Sequence, residues 1–402
     1  SAVGDYAVGA VGTANSYIGI FIIMFSIISS GMVSVMTQNI GAGRPGVAYQ
    51  ARQLGLLFNA VAGVLMAVFL FSGAGAILRM VGIAYEPALI YLKIVGGGCI
   101  LNAVIPIFSS YLRAFGYTKQ PLYATIVGNI ANFVMNAVFL FVLHKGVAGV
   151  AAATVISKIL NLCIVLYFSH KLISAKNSTE RIANKTVLGQ IVKVGLPSAC
   201  ETALYNVAMM LVIRFLNQMD AEGLNVTARS YTATISNFSY CVGAALAQAN
   251  AIMTGWHIGA GELEECDRGT KRAAFVGVCV AVCMETAIVL GSGFIMPLFT
   301  DNPEMTALVR KLLAIDIVLE IGRVTNLVFG QALKTSGDAV FPAVIAAVFM
   351  FVFAVGGTWL FGISMGLMAV GAYIGLASDE CVRAVGMVWR WKTGKWRTKK
   401  LV

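Results

Sequence analysis

Ile40-Gly41-Ala42-Gly43 returns later in the chain as Ile258-Gly259-Ala260-Gly261. Each copy ends a long apolar run, and a short charged segment and another apolar run follow it. Other motifs recur at the same spacing of about 220 residues: Leu112-Arg113 as Leu333-Lys334, Gly116 as Gly337, Pro121 as Pro342, and Gly146-Val147 as Gly366-Leu367. A period this long is typical of the duplication of a whole helical bundle. We therefore predict two related halves.

The composition is typical of a helical membrane protein. Of the 402 residues, 58% are hydrophobic and 12% are charged, and the mean hydropathy is +0.83. Soluble proteins average about 25% charged residues. A bilayer-spanning helix needs about 20 consecutive apolar residues, and the chain supplies such runs repeatedly. These properties predict an all-α polytopic membrane protein.

Eleven apolar helices are predicted, and several are long enough to tilt or to project beyond the lipid. They cover residues 7–39, 52–76, 86–113, 119–142, 147–172, 187–215, 224–257, 270–298, 304–334, 339–361 and 366–390. Pro121 and Pro342 lie near helix starts, whereas Pro106 and Pro197 lie inside helices and should kink them. The predicted organisation is an N-terminal bundle (1–174), a connector (175–186), a C-terminal bundle (187–392) and a basic tail (393–402).

The net charge of +11 is explained by topology better than by nucleic-acid binding. Basic residues concentrate in the tail, in the connector and at alternate span ends, with few, such as Arg229, on the opposite side. This bias places the connector and the C-terminus in the cytoplasm. An odd number of spans then leaves Ser1 outside. We therefore expect the first helix of a six-plus-six protein to be missing from this sequence, and the segment before Asp5 to resemble its outer end.

Several motifs with other functions are excluded. Gly41 to Gly46 satisfy GxGxxG, but they follow a membrane helix and not the strand that a dinucleotide-binding fold requires. The sequence has no GxxxxGK[ST] motif, which argues against ATP-driven pumping by this chain. The eight cysteines include no CxxC pair, and no metal site is expected.

The order of several motifs is similar to that of a known transporter family. The motifs are Gln38-Asn39-Ile40-Gly41-Ala42-Gly43, Gly195-Leu196-Pro197-Ser198, the second Ile258-Gly259-Ala260-Gly261, Leu319-Glu320-Ile321-Gly322-Arg323 with Asn326, Asp379-Glu380 with Arg383, and Trp389-Arg390-Trp391. From the second family helix onward, the chain resembles the bacterial branch of the multidrug and toxic compound extrusion (MATE) family. The resemblance implies two six-helix bundles in a V around a central cavity, and drug efflux coupled to the entry of Na⁺ or H⁺.

One departure concerns proton coupling. In many members of that family the first helix carries an Asp, and its usual acidic partner on the fifth family helix aligns with Asn136, one turn after Asn132. An amide can bind a substrate but cannot titrate, which argues against a proton mechanism in the N-terminal half.

Six carboxylates lie well inside predicted helices of the C-terminal half, whereas the acids before residue 187 lie near span ends or in loops. They are Glu201, Glu285, Asp316, Glu320, Asp379 and Glu380. A carboxylate within the bilayer costs several kcal/mol, so each should face a wet cavity or a partner. The nearby Arg323 and Arg383 cannot neutralise all six. We expect protons, Na⁺ or a cationic substrate to balance the rest.

This surplus suggests antiport, because a carboxylate that the coupling ion neutralises is not free for an organic cation. Glu201 is the first candidate for the exchange site, since it lies one turn after Pro197. Asp316 and Glu320 come next. The remaining candidates for binding substrate or ion are Asn132, Asn136, Tyr205, Asn206, Asp379 and Glu380.

Structural explanations compete with these roles. Asp379 and Glu380 with Arg383, and Glu320 with Arg323, are equally well explained as ion pairs that hold helices together. We therefore assign Arg323 and Arg383 to structural pairing.

Other polar residues also have two explanations. Glu285 lies in an otherwise apolar helix without a family match, and a direct role is not favoured. Asn129, Asn132 and Asn136 form a polar stripe that suits hydrogen bonding between helices or the lining of a cavity. Lys158 has no acid in its own bundle, which leaves three explanations open. Its side chain extends toward the membrane surface, pairs with an acid of the other half across the cavity, or occupies a position where related proteins have an amide.

The sequence thus predicts a secondary antiporter, not an enzyme, that exports cationic or amphipathic small molecules from the bacterial cell in exchange for Na⁺ or H⁺. We expect a monomer in the plasma membrane, with no other cofactor and no nucleic-acid partner. The alternative is a lipid-linked saccharide flippase of similar design, although such flippases usually have extra spans and a cationic cavity. An intramembrane enzyme would need a nucleophile or metal cluster, and none is visible in the sequence.

Overall fold

A computed structural model describes residues 5–80, 86–173, 180–220 and 222–402 of the chain. Within these ranges the regular structure is helical and no strand is present, so the prediction of an all-α protein is confirmed. The segment before Asp5 and residues 174–179, which include the start of the predicted connector, lie outside the described residues.

The eleven predicted spans correspond to eleven helical segments in the described part of the chain. The helices are α1 (Asp5–Gly41), α2 (Pro45–Met80), α3 (Glu86–Gly97), α4 (Cys99–Ala114), α5 (Lys119–Ala137), α6 (Gly146–Leu172), α7 (Asn184–Met219), α8 (Leu224–Ala260), α9 (Leu263–Ile295), α10 (Pro303–Ser336), α11 (Val340–Phe349) and α12 (Met368–Lys392). Together α3 and α4 form one predicted span, while π-helical turns extend α5 to Val142 and α11 to Ser364.

The predicted ends differ most at the starts of α2 and α9, which begin seven residues earlier than the apolar runs at 52 and 270. The physical reason is that a helix continues through its polar ends. At α2 the first residue is Pro45, whose missing N–H has no cost there. At α9, Glu264 and Glu265 in the first turn complement the helix dipole.

The repeated glycines mark corresponding helix ends in the two halves. Gly43 and Gly261 have φ values of 73° and 80°, in the left-handed region that favours glycine. In both copies the N–H of this glycine bonds to the carbonyl three residues earlier, and the next N–H bonds to the carbonyl five residues earlier. This is the pattern of a Schellman cap. The repeated sequence motif therefore corresponds to the same helix cap at the ends of α1 and α8.

The chain divides into two compact units, unit 1 (Ser1–Leu196) and unit 2 (Pro197–Val402). The boundary lies inside α7, after the predicted connector, because the first part of α7 packs closely on α1. A Cβ atom on Gly31 would lie 2.0 Å from the carbonyl oxygen of Ile191, and one on Gly195 would lie 1.9 Å from that of Ile27. Two glycines thus allow backbone contact between these helices.

Seven helical segments of the described residues are long and apolar enough to cross a membrane. Their exposed side chains include Leu65, Phe133 and Phe294, as expected for surfaces that contact lipid. The helices α8, α10 and α12 are not among the seven. These three hold most of the polar groups that surround a cavity in unit 2, to which α7, one of the seven, also contributes.

The predicted basic tail packs against unit 2. Trp396 is buried, stacks on Trp391 with a ring distance of 4.2 Å, and donates a hydrogen bond to its carbonyl oxygen. Trp391 Nε1 in turn donates to Asp267 at 2.7 Å, and Arg397 pairs with Glu264 at 2.7 Å. These contacts connect the C-terminal residues to the start of α9.

Replacing Trp396 by Ala removes this stack and leaves a cavity, which typically costs about 3–5 kcal/mol. We expect a clearly lower midpoint of thermal unfolding for W396A in detergent, measured by circular dichroism at a helix band. The matched control is Lys400→Ala, because Lys400 is exposed. Equal midpoints for the two variants would show that the tail does not stabilise unit 2.

Candidate ion and substrate site

Unit 2 contains a cavity of about 330 Å³ bordered by α7, α8, α10 and α12. Its polar lining includes Arg229 and Ser236 from α8, Asp316 and Arg323 from α10, and Tyr373 from α12. A second cavity of about 210 Å³ shares part of this lining and also reaches Glu201. Of these two polar cavities, we call the first the larger cavity. Its volume lies at the lower end of the range for organic ligands, and its lining combines apolar and charged side chains.

Three buried carboxylates of unit 2 lie together beside the larger cavity. Oxygen atoms of Glu285 on α9 and of Asp316 and Glu320 on α10 all lie within 4.8 Å of one another. We call this group the acidic triad. Glu285 and Glu320 are fully buried and Asp316 is 3% exposed. Among the described residues, both carboxylate oxygens of Glu285, Oδ2 of Asp316 and Oε2 of Glu320 lack a hydrogen-bond partner.

The helix geometry explains how the acidic triad forms. Asp316 and Glu320 are four residues apart and therefore share one face of α10. Gly243 on α8 and Gly277 on α9 allow close packing, because a Cβ at either position would lie under 3 Å from the Val324 side chain of α10. The hydroxyl groups of Ser236 and Ser239 on α8 are buried beside the triad carboxylates.

Arg323 and Arg383 take part in ion pairs. Arg383 binds Asp379 through two hydrogen bonds of 3.1 and 2.7 Å, and its Nη2 lies 2.7 Å from Glu380. Arg323 pairs with Glu320 and lies 3.8 Å from Glu380. Asp379 and Glu380 line the larger cavity with their charges balanced by arginine. Arg383 shares α12 with both acids and Arg323 shares α10 with Glu320, so among these contacts that of Arg323 with Glu380 joins two helices.

Glu201 also has a partner, which the sequence analysis missed. The Nζ atom of Lys334 lies 2.8 Å from Oε2 of Glu201, as a charge contact and not as an aligned hydrogen bond. Lys334 lies in the last turn of α10, far from Glu201 in sequence. Because the two residues lie on different helices, α7 and α10, no local spacing predicted their contact. Glu201 is therefore balanced in the structure, unlike Glu285 and Asp316.

Of the two remaining candidates in unit 2, one lines the cavities and the other does not. Tyr205 borders both cavities. Asn206 is exposed, donates to the carbonyl oxygen of Thr202 in its own helix, and borders neither cavity. Arg229, which the sequence analysis placed at a span end, lines the larger cavity. Together with Glu285 and Lys334, it is a residue whose place in the site the sequence did not show.

In unit 1 the predicted polar stripe forms hydrogen bonds. Asn136 donates to Oδ1 of Asn132 at 3.0 Å, and Asn132 donates to Oγ of Ser157 on α6 at 3.4 Å. Lys158 donates to Oδ1 of Asn102 on α4 at 2.7 Å. The bond between Asn136 and Asn132 lies within α5, whereas the bonds of Asn132 to Ser157 and of Lys158 to Asn102 join neighbouring helices, as polar side chains do in membrane bundles.

The sequence is similar to those of known transporters. Residues 1–138 and 197–360 match the MatE family. The uncharacterized transporter YisQ of Bacillus subtilis (strain 168) is 31% identical over 98% of this chain and 88% of its own length. The probable multidrug resistance protein NorM of Thermotoga maritima is 20% identical and covers 78% of this chain and 68% of its own length.

Solved structures show the same fold. A crystal structure of MATE in the straight conformation superposes with a TM-score of 0.87 at 20% identity, and the match covers 98% of this chain and 90% of that chain. A MOP superfamily transporter from Pyrococcus furiosus gives a TM-score of 0.81 at 19% identity, over 98% and 90% of the two chains. The matched family covers more than half of the chain, and YisQ aligns over almost all of it. The chain therefore belongs to the MatE family of multidrug and toxic compound efflux transporters.

Proposed function

We propose that the protein is an antiporter that exports cationic or amphipathic small molecules in exchange for Na⁺ or H⁺. The coupling ion binds at the acidic triad. The observation that carries this proposal is the position of Asp316, which belongs to the triad and also lines the larger cavity. Ion and substrate therefore meet at one carboxylate.

The triad favours a cation because its charge is not balanced by the protein. Three carboxylates lie within 4.8 Å of one another, and Arg323 pairs with one of them, Glu320. Burying the other two in charged form is costly unless a cation or protons accompany them. Carboxylate and hydroxyl oxygens, including those of Ser236 and Ser239, suit a hard cation such as Na⁺. The same acids would accept protons if H⁺ is the coupling ion.

Competition at Asp316 supplies the coupling. An ion in the triad neutralises this carboxylate, and the cationic part of a substrate then gains little by approaching it. When the ion leaves, Asp316 attracts that group into the cavity. Alternating access between two conformations turns this exclusion into exchange.

The proposal includes a monomer whose C-terminus lies in the cytoplasm. The positive charge bias of the sequence supports this orientation, and a single chain that supplies the triad and the cavity supports a monomer. A flippase for anionic lipid-linked sugars is disfavoured, since three acids and two arginines line the cavity.

Asp316→Asn should abolish the link between ion and substrate. We expect Na⁺-driven or pH-driven efflux of a cationic dye from proteoliposomes to fall by about tenfold or more, because each 1.4 kcal/mol of lost ion binding is a factor of ten. Glu285→Gln should act in the same direction. Glu265→Gln is the matched control, because Glu265 is exposed at the start of α9. Undiminished gradient-driven efflux by D316N would remove the triad from the mechanism.

A second experiment separates Glu201 from the triad. If Lys334 is its fixed counter-ion, Glu201→Gln leaves a buried ammonium unpaired, which typically costs 3–5 kcal/mol. The double variant Glu201→Gln with Lys334→Met carries no unpaired charge, so it should transport clearly faster than Glu201→Gln alone. Efflux rates of the two variants in the same proteoliposomes test this. A double variant as inactive as the single one would return the exchange role to Glu201.

A further inference from the structure

We propose that unit 1 binds the phosphate group of an anionic phospholipid at Arg52, between α2 and α4. The site lies outside both cavities of unit 2 and does not depend on the proposed antiport. It consists of Arg52 and the three aromatic side chains around its guanidinium group, those of Tyr49, Phe108 and Tyr111. We call these four residues the Arg52 cage.

The positive charge of the chain is concentrated in unit 1. This unit contains 13 basic residues and three acidic ones, Asp5, Glu86 and Glu180, whereas unit 2 contains 16 basic and 15 acidic residues. Every ion pair found among the described residues lies within unit 2. The basic side chains of unit 1 therefore have no acidic partner in the described part of the chain. An anionic ligand from outside the protein can balance them.

Aromatic rings hold the guanidinium group of Arg52 in place. Its Cζ atom lies 4.4 Å from the ring centre of Tyr49, one turn earlier on α2, and 4.9 and 5.5 Å from those of Tyr111 and Phe108 on α4. Within the described residues Arg52 forms no hydrogen bond or ion pair, and its Nε atom is buried without a partner. Cation–π contacts orient the group without using its N–H donors. A guanidinium held in this way can bind a phosphate through its Nη groups.

The cage also contains an unused hydroxyl group. Tyr111 is 1% exposed, and its hydroxyl group has no hydrogen-bond partner among the residues that the structure describes. The charge of Arg52 and the phenol of Tyr49 both act on this hydroxyl group, so it lies near them. Buried hydroxyl groups without a partner are uncommon in folded proteins. An unused O–H beside an unused guanidinium is a donor set that suits the oxygens of a phosphate ester.

The position of Arg52 along α2 favours a lipid over a free anion. Arg52 lies two turns after Pro45, the first residue of a helix that is long and apolar enough to span a membrane. Large exposed apolar side chains begin with Leu57 and Phe58 and continue with Val61. Leu57 lies five residues, or about 7.5 Å along the axis, beyond Arg52. A phosphate at Arg52 therefore leaves its acyl chains beside apolar surface, which inorganic phosphate cannot use.

Neighbouring residues add positive charge to this end of unit 1. Gln50, in the same turn of α2 as Arg52, accepts a hydrogen bond from the N–H of Ile182 at 3.2 Å and donates one to its carbonyl oxygen at 2.7 Å. These bonds hold the segment before α7 against α2, and its Arg181 and Lys185 are exposed. The proposed orientation places this end at the cytoplasmic face, where basic residues attract anionic lipids.

The test compares two soluble lipids with the same acyl chains. Dioctanoyl phosphatidylglycerol is anionic, whereas in dioctanoyl phosphatidylcholine the choline group neutralises the phosphate. Dissociation constants for the purified full chain in a neutral detergent are measured by native mass spectrometry, which resolves the first bound lipid. We expect the first phosphatidylglycerol to bind about tenfold more tightly than the first phosphatidylcholine, because its phosphate pairs with Arg52 alone.

Variants assign this preference to one side chain. Arg52→Gln should remove it, and continued binding of phosphatidylcholine shows that the variant is folded. Arg52→Lys should retain part of it, because lysine keeps the charge but loses the two parallel donors. The matched control is Arg44→Gln, because Arg44 lies just before α2, is exposed and has no ring beside it among the described residues. It should keep the preference of the wild type.

Inorganic phosphate distinguishes a lipid headgroup from a free anion. At a concentration equal to that of the lipid it should not displace phosphatidylglycerol, because it has no acyl chains. Such displacement would assign the cage to a free anion and overturn the lipid site. Equal affinity of the wild type for the two lipids would also overturn it. A preference that survives Arg52→Gln, or that Arg44→Gln reduces as much, would show that diffuse surface charge and not the cage attracts the lipid.

Discussion

A carboxylate buried within a membrane protein needs a positive charge beside it, and this requirement organises unit 2. Six carboxylates lie well away from the ends of its helices. Arg323, Arg383 and Lys334 pair with four of them, namely Glu201, Glu320, Asp379 and Glu380. Glu285 and Asp316 remain without an ion pair in the described part of the chain. The protein thus contains acids whose charge its own cations balance and acids whose charge they leave unbalanced.

The sequence predicted the helices well because the bilayer makes the signal strong. Long apolar runs gave all eleven helical segments, and Gly43 and Gly261 marked equivalent ends through the left-handed conformation that their caps require. Helix ends were less predictable, since α2 and α9 continue through polar residues. The unit boundary inside α7 was not predictable, because it depends on backbone contact at Gly31 and Gly195.

The site was predictable in its composition but not in its pairing. Pairs on one helix, such as Asp379 with Arg383, follow from spacing. The pair between Glu201 and Lys334 joins two helices, so no spacing within one helix predicts it. The sequence did not predict a place for Glu285 in the site for a related reason. Its neighbours on α9 are apolar, so its role depends on Asp316 and Glu320 across the α9–α10 contact. The one signal in the sequence was that Glu285 has no cation three or four residues away to pair with on its own helix.

In the proposed mechanism, the unpaired and the paired acids contribute differently to transport. A group can drive exchange only if its binding differs between the ion-loaded and ion-free states. Asp316 meets this condition in the proposal, because the ion and the cationic group of a substrate would use the same carboxylate. Asp379 and Glu380 are already balanced by Arg383, so the charge that they present to the cavity would be similar in both states. Coupling between ion and substrate is therefore expected to depend on the acid that the protein leaves unbalanced.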